Sequence, residues 1–194
     1  MAKNVKNKKY HDIMDTAREL FWKHGFRRVT VQEICAKSGV SKMTFYKYFP
    51  DKIELAKTVY TNIMDESMEK FSNLMKEDIS VPEKMQKMLL LKEEGTKNIS
   101  QEFMNDFYLG TEPELKNFVE EKTGEVWEGL LKNYEWAQKN NIFRDDFKPE
   151  FFLKVTFKLT ELMNDKELTQ LYDSPQELIL EFARLMTYGI IKQE

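Results

Sequence analysis

The stretch from Thr30 to Leu55, TVQEICAKSGVSKMTFYKYFPDKIEL, holds the local signals that decide the fold of the N-terminal part of the chain. Thr30 and Glu33 have the T-x-x-E spacing of a capping box, which predicts a short helix beginning at the next residue. Gly39 predicts the end of that helix, because glycine readily adopts the left-handed conformation that closes a helix C-terminus. Ser41 can then cap a second helix. Two short helices joined by a four-residue turn containing a glycine form a helix-turn-helix.

The second helix, predicted over residues 42–48, is unlike an ordinary amphipathic helix. Phe45 and Phe49 lie four residues apart and can both face the core. Lysine, threonine and tyrosine are typical groups for reaching phosphates and base edges, so the outward residues of this helix indicate contact with nucleic acid. The alternative is a solvated face with two half-buried tyrosines. The outward residues are Lys42, Thr44, Tyr46, Lys47 and Tyr48.

At these residues the sequence resembles the DNA-binding domain of the TetR (tetracycline repressor) family of bacterial regulators. The resemblance covers residues 10–57, and its motif is Ile34, the run SGVSK-x-TFY-x-YF over residues 38–49, Lys52 and Leu55. Met43 departs from the pattern, because many relatives carry Gly, Pro or Ala there. A base contact at Met43 would therefore be apolar, for example with a thymine methyl group.

The resemblance implies a role for each matched position. Residues 42–44 resemble base-reading residues at the start of the recognition helix, and residues 46–48 resemble contacts with the DNA backbone. Lys52 resembles a lysine that meets a phosphate at the start of the next helix; an ordinary surface lysine is the alternative. The complete set of implied DNA-binding residues is Thr30, Gln32, Ser41, Lys42, Met43, Thr44, Tyr46, Lys47, Tyr48 and Lys52.

The distribution of charge agrees with a nucleic-acid-binding N-terminal part. Residues 1–58 contain 13 Lys and Arg against 6 Asp and Glu, whereas the remaining residues contain 17 against 27. A basic end attached to an acidic body steers that end toward phosphate. The first nine residues, MAKNVKNKK, carry four of the lysines without an apolar pattern and are expected to form a disordered arm.

The composition and the positions of the proline residues predict an all-α fold of about nine helices. The chain has 194 residues with only 7 Gly and 5 Pro, and no alternating apolar run indicates a strand. Four Pro residues open apolar-periodic segments, as expected for the first position of a helix. We divide the chain at residue 57 into a DNA-binding domain, 1–57, and a helical regulatory and dimerisation domain, 58–194, connected by the long fourth helix. The predicted helices are 9–24, 31–37, 42–48, 52–76, 83–97, 99–109, 113–139, 149–165 and 175–191.

The last two long helices carry apolar stripes that admit two interpretations. Stripes at this spacing usually pack inside the protomer. In the resembled family the equivalent helices pair with their copies, which implies a homodimer, and two-fold pairing would let the protein read two half-sites of DNA. The implied interface residues are Phe152, Val155, Leu159, Leu162, Leu178, Phe182, Leu185 and Met186.

The helix over residues 113–139 is apolar around more than half of its circumference, which predicts a central position in the regulatory domain. Polar residues within that apolar arc need partners and can contact a bound small molecule, although plain core packing is the alternative. The preceding aromatic segment adds further candidates. The candidate ligand-binding residues are Phe103, Phe107, Tyr108, Lys122, Thr123, Trp127, Asn133 and Tyr134.

Other classes of function were weighed on the same residues. The sequence contains no phosphate-binding glycine loop, no metal-ligand spacing and no nucleophile motif, so we expect neither an enzyme nor a cofactor or metal. No apolar run is long enough for a membrane span or a signal peptide, which predicts a cytoplasmic protein with no membrane partner. The predicted partners are an operator in double-stranded DNA, a second copy of the chain and a small-molecule effector. An architectural or cell-division DNA-binding protein remains the alternative.

Overall fold

The computed structural model describes residues 2–191, and ten α-helices account for most of them. Within this part of the chain the only extended pairing is an isolated bridge between Phe143 and Ile191, so the predicted all-α class is confirmed. The helices are α1 (Ala2–Arg28), α2 (Val31–Ser38), α3 (Lys42–Tyr48), α4 (Lys52–Lys76), α5 (Val81–Thr96), α6 (Gln101–Phe107), α7 (Pro113–Lys139), α8 (Pro149–Glu161), α9 (Lys166–Thr169) and α10 (Pro175–Ile190).

The helix predicted over residues 149–165 is longer than the observed one. A short helix that was not predicted follows it, and this helix makes ten in place of the predicted nine. α8 ends at Glu161 and a 3-10 turn, Leu162–Asn164, follows it. Asp165 then caps the short helix α9, because its Oδ1 atom accepts a hydrogen bond from the Leu168 amide at 3.0 Å. An aspartate that bonds the amide three residues later starts a new helix and ends the previous one.

The expectation of a disordered arm over residues 1–9 is wrong for the described backbone, because α1 already includes residues 2–9. Met1 lies outside the described residues. Tyr10 holds this end of α1 beside the recognition helix: its ring stacks on Phe49 with centroids 5.4 Å apart and meets the Tyr48 ring edge-on at 5.7 Å. Lysines at the N-terminal end of α1 therefore belong to a helix packed next to α3.

The chain forms two compact units. Unit 1 contains residues 1–63 and 98–120, and unit 2 contains residues 64–97 and 121–194. α4 and α7 each contribute to both units, so α4 is not the sole covalent connection. The functional division at residue 57 stays a prediction, but the compact unit around the helix-turn-helix also takes in α6 and the start of α7.

Aromatic packing between α1, α4 and α6 forms much of the core of unit 1. Phe103 lies 4.6 Å from Trp22 and 4.4 Å from Phe107 between ring centroids, and Tyr60 stacks on Phe107 at 5.9 Å. Phe21 is fully buried in the same unit. Burial of several aromatic rings supplies a large hydrophobic contribution, which ties α6 to the helix-turn-helix.

Unit 2 has its own core, centred on Tyr134 of α7. The Tyr134 ring lies 5.8 Å from Phe71, 5.2 Å from Phe143 and 5.3 Å from Phe152, centroid to centroid. Lys84 of α5 is buried beside it, and its ammonium donates to the carbonyl oxygens of Leu74, Met75 and Glu77. A lysine in that position caps the C-terminal end of α4, where carbonyl groups lack helical partners. We call the buried residues of this core the Tyr134 cluster: Leu74, Met75, Tyr134, Ala137, Ile142, Phe143, Phe152, Leu153 and Ile190.

Candidate nucleic-acid interface

The first helix of the motif, α2, begins and ends where its local sequence predicts. The Thr30 hydroxyl accepts a hydrogen bond from the Glu33 amide at 3.1 Å. Gly39 adopts φ 69°, ψ 26° after the last residue of the helix, and the Val40 amide donates to the Cys35 carbonyl at 3.0 Å. The left-handed glycine reverses the chain within four residues, which fixes the direction in which α3 leaves the turn.

The recognition helix α3 is held from behind and exposed in front. Phe45 has no exposed surface and Phe49 is 3% exposed, so these two rings anchor the helix in unit 1. On the opposite side, Met43 is 70% exposed and Tyr46 is 55% exposed. Two large apolar side chains left in water on a seven-residue helix indicate a surface that a partner covers.

The other predicted DNA-binding residues of the motif lie on or beside this exposed side. Thr44 is half-buried, because its amide donates to the Ser41 hydroxyl at 3.1 Å and the two hydroxyl groups are 3.0 Å apart. Tyr48 is half-buried through its contact with Tyr10. The remaining residues are exposed, namely Thr30, Gln32, Ser41, Lys42 and Lys47. The structure thus brings the predicted contacts together, and their roles on DNA stay predictions.

Lys52 is placed differently from the other nine residues. Its ammonium donates to the Phe26 carbonyl at 2.8 Å and the Val29 carbonyl at 2.7 Å, and it lies 4.0 Å from the Phe26 ring centroid. Desolvation lowers the pKa of Lys52, with Glu112 and Asp106 opposing that shift. The side chain therefore joins the start of α4 to the end of α1, which favours a positioning role over the predicted phosphate contact.

Helix α6 is hydrogen-bonded to the C-terminal end of α1, and no pattern in the sequence predicted this contact. The Asp106 carboxylate, which is buried, accepts a hydrogen bond from the Arg27 amide at 2.9 Å and another from the Thr111 hydroxyl at 2.7 Å. The Ser100 amide and hydroxyl both donate to the Trp22 carbonyl, at 3.0 and 2.9 Å. The bonds to Arg27 and Trp22 join residues nearly 80 positions apart, so only the folded chain could disclose them.

Cys35 packs in α2, as expected for the one cysteine of the chain. The side chain is buried and free, and burial raises the pKa of the Cys35 thiol, with a smaller opposing effect of Lys42. A thiol held protonated in an apolar setting is a poor nucleophile, which favours packing over redox sensing.

The sequence of this region matches a known protein family. The family model described as bacterial regulatory proteins of the tetR family matches residues 13–59, which cover the end of α1 through the first part of α4. Residues 13–59 therefore match the DNA-binding part of the TetR family. The match contains the whole helix-turn-helix and all ten residues predicted to contact DNA.

Two curated relatives that this chain matches come from Bacillus subtilis. An uncharacterized HTH-type transcriptional regulator, YerO, is 36% identical over 74 residues, which are 38% of this chain and 25% of the relative. A fatty acid metabolism regulator protein is 29% identical over 80 residues, 41% of each chain. The chain thus matches between a quarter and two fifths of the length of these relatives.

The likeness in fold extends along nearly the whole chain. The crystal structure of the transcriptional regulator FadR from Bacillus subtilis in complex with stearoyl-CoA superposes with a TM-score of 0.65. It shares 17% identity and covers 93% of this chain and 99% of that one. At this level of identity the comparison shows a common fold only.

Two of the residues predicted for the dimer interface lie in the core of the protomer instead. Phe152 and Leu178 are buried within the protomer, at 8% and 1% exposure, and Phe152 belongs to the Tyr134 cluster. They serve the core because the apolar stripes of α8 and α10 are wider than one face. Of the other predicted residues, Leu162 and Leu185 are exposed, whereas Val155, Leu159, Phe182 and Met186 are half-buried.

The candidate ligand-binding residues differ in burial and in their contacts. Phe103 and Phe107 are buried in the aromatic core of unit 1, and their contact with a ligand stays a prediction. Lys122 is not an unpaired buried group, because its ammonium bonds Glu125 at 3.2 Å and lies 3.9 Å from Asp65. The other candidates stay predictions: Tyr108, Thr123, Trp127 and Asn133 are half-buried, and Tyr134 is buried.

Searches for two further kinds of site gave negative results within residues 2–191. None of these residues form a group of three or more His, Cys, Asp or Glu side chains suited to a metal ion. No helix in the same part of the chain combines the length and apolar character that a membrane crossing requires.

Proposed function

We propose that this protein is a TetR-like homodimeric repressor that binds a palindromic operator and is released by a small, largely apolar effector. The DNA-binding part of the proposal is supported by the exposed side of α3. Met43 and Tyr46 are exposed to solvent there, whereas Phe45 and Phe49 on the other side of the helix are buried. Lys42 and Lys47 flank them with positive charge. Aromatic, apolar and cationic side chains on one short helix suit the major groove of DNA.

The proposal is tested by incubating the purified protein with sheared genomic DNA and sequencing the bound fragments. A short palindrome enriched at one or a few promoters is the expected result. Enrichment at many scattered sites without a palindrome would instead favour the architectural alternative. Absence of any enrichment at low salt, where phosphate contacts are strongest, would overturn the DNA-binding proposal itself.

Changes at the start of α3 are expected to alter which bases are preferred. Replacing Lys42 or Met43 with alanine removes one base contact, which we expect to reduce discrimination at one operator position by roughly tenfold. Binding of a library randomised at each operator position measures this. Lys37→Ala on α2 is the matched control, because Lys37 is also exposed but lies outside the recognition helix. A uniform loss of affinity with unchanged base preference would contradict base reading.

The dimer part of the proposal is supported by apolar side chains left exposed on α8 and α10. Leu185 is 66% and Tyr188 is 61% exposed on α10, and Phe151 and Phe157 are 67% and 40% exposed on α8. With Phe152 and Leu178 assigned to the core, the proposed interface shifts to these residues. Several exposed apolar side chains on each of two helices are typical of an association surface.

Leu185→Glu is expected to dissociate the dimer. A carboxylate in an apolar interface lacks a partner, so we expect the dimer dissociation constant to rise by roughly 100-fold, and operator affinity to fall with it. Analytical ultracentrifugation and operator titration measure the two effects. Leu171→Glu is the control, because Leu171 is 75% exposed but lies in the turn after α9. If the Leu185→Glu protein kept the dimer mass in ultracentrifugation, the interface would not include Leu185.

An effector with an apolar chain is proposed from two lines of support. Three α7 side chains, Trp127, Leu130 and Leu131, are only partly buried against the Tyr134 cluster, which leaves apolar surface available to a ligand. One relative is named for fatty acid metabolism, and one solved structure of the same fold holds stearoyl-CoA. An effector that prefers one conformation of the dimer would then shift the population away from the DNA-binding form.

A further inference from the structure

The start of α1 lies beside the C-terminal end of the recognition helix. The Tyr10 ring stacks on Phe49, with centroids 5.4 Å apart, and meets the Tyr48 ring edge-on at 5.7 Å. Phe49 is buried and Tyr48 is half-buried, so Tyr10 packs both on an anchor of α3 and on a residue predicted to contact the DNA backbone. The family match begins at residue 13, and Tyr10 therefore lies outside the matched segment.

Two lysines next to Tyr10 in α1 are exposed, namely Lys8 and Lys9. Neither forms a hydrogen bond or an ion pair with another side chain that the structure describes. Asp12 lies four residues after Lys8, a spacing that permits an ion pair on a helix, yet the two described side chains do not form one. Both lysines lie within one helical turn of Tyr10, so two cations without a carboxylate partner are held close to the end of α3.

The first turns of α1 and α3 differ in charge from those of the other described helices. Eight of the ten α-helices have an acidic residue in the first turn, where a negative charge complements the helix dipole. The two exceptions are α1 and α3. In α3, the recognition helix, DNA phosphates would repel an acidic residue at that position.

The start of α1 departs from the dipole rule more strongly than α3 does. Residues 2–9 carry four lysines and no acidic residue. Cations near the N-terminus of a helix oppose the helix dipole, so this sequence reduces the stability of α1 itself. A polyanion that lies against the same residues compensates that repulsion. The charge of this segment is therefore explained by a negatively charged partner and not by folding.

We propose that the N-terminal end of α1 is a second phosphate-binding element, in which Lys8 and Lys9 contact the DNA backbone beside the half-site bound by α3. Tyr10 is the positioning residue that holds the two lysines there. This inference rests on the proposed DNA-binding function and adds a contact outside the helix-turn-helix. Lys47 is exposed on α3 next to Tyr48, so the Tyr10 contact joins cations of two helices. Phosphate contacts carry no sequence information, but they fix the register of a recognition helix on the duplex.

The test measures binding of a labelled DNA duplex of arbitrary sequence at several salt concentrations. It compares wild type, the double variant Lys8→Gln with Lys9→Gln, and the control Lys23→Gln. Lys23 is also an exposed lysine of α1, but it lies about 20 Å further along the helix axis. For the double variant we expect the slope of log K against log salt to fall by about one to two units and affinity at low salt to fall roughly 10- to 100-fold. Its unfolding temperature should stay equal or rise, because charges that oppose the helix dipole have been removed.

Tyr10 is tested with a conservative pair of variants. Tyr10→Phe keeps the ring that packs on Phe49 and Tyr48, whereas Tyr10→Ala removes it. We expect Tyr10→Ala to lower the slope of log K against log salt although both lysines remain, and Tyr10→Phe to keep the wild-type slope. Binding is measured at a temperature at which thermal unfolding shows both variants to be folded. A wild-type slope for folded Tyr10→Ala would contradict the positioning role.

The outcomes separate this inference from the proposed function. A double variant with the wild-type slope and affinity overturns the inference and leaves the proposed role of the helix-turn-helix intact. An equal fall for Lys23→Gln also overturns it, because the effect would then come from overall charge and not from this end of α1. Wild-type protein that binds no DNA at low salt overturns both. In a library randomised at each operator position, a double variant that loses affinity for all sequences alike supports phosphate contact, whereas a changed base preference contradicts it.

Discussion

Replacement of Gly25 by alanine is expected to lower the free energy of unfolding by about 2 to 5 kcal/mol. Gly25 interrupts α1 with φ 75° and ψ 171°, a backbone conformation that is open to glycine and strained for other residues. A Cβ atom there would lie 2.7 Å from Asp106 Oδ2 and 2.8 Å from Glu102 Cβ. Strain and overlap therefore act together where α1 meets α6, and thermal or urea unfolding measures the loss.

Gly39→Ala is the matched control for Gly25→Ala. Gly39 also has a positive φ, 69°, but an added Cβ atom meets nothing within 4 Å. We expect a loss of only about 1 to 2 kcal/mol, since strain acts there without overlap. Equal losses at the two sites would mean that the close approach of α6 to α1 contributes nothing. Operator affinity should fall more for Gly25→Ala, because the displaced turn leads directly into α2.

Lys52→Met is expected to destabilise the protein by about 1 to 3 kcal/mol. The substitution keeps an apolar stem of similar length and removes the ammonium that bonds the Phe26 and Val29 carbonyls. The two carbonyl groups lose a charged donor, although relief of the ammonium's desolvation offsets part of the loss. Chemical denaturation measures stability, and operator titration at several salt concentrations measures the phosphate contacts.

The salt dependence distinguishes the two roles considered for Lys52. A phosphate contact predicts that the slope of log K against log salt falls by about one unit with little change in stability. A positioning role predicts a loss of stability with a smaller change in slope, and this is the result we expect. Lys47→Met is the control, because Lys47 is exposed on α3 and should lower the slope without destabilising the fold. If Lys52→Met lowered the slope of log K against log salt by a full unit and left stability unchanged, the phosphate contact would be the better assignment for Lys52.

The helix-turn-helix could be predicted from sequence because its signals act over three or four residues. The Thr30–Glu33 and Ser41–Thr44 caps and the left-handed Gly39 all appear where the local pattern places them. Helix bounds elsewhere followed from the same kind of signal: α3, α4 and α7 have the predicted limits. Local hydrogen bonds form independently of distant partners, so residue types and spacing suffice to find them.

Which side of an apolar helix is buried could not be predicted in the same way. α8 and α10 present more apolar residues than one interface needs, and it was the family resemblance, not the periodicity, that implied Phe152 and Leu178 as interface residues. The sequence of α5 did not predict that Lys84 would cap the C-terminal end of α4. That contact depends on which helix faces α5, and contacts between distant segments leave no regular spacing in the chain.

The sequence by itself determined an all-α chain, a helix-turn-helix with an exposed Tyr46, and a basic N-terminal part, because these depend on local caps, periodicity and composition. The tertiary structure alone decided that Lys52 and Asp106 hold the end of α1 from α4 and α6. It likewise decided which apolar side chains remain on the surface. The reason is that burial and long-range hydrogen bonds are properties of packed neighbours, and the chain specifies those neighbours only through the whole fold.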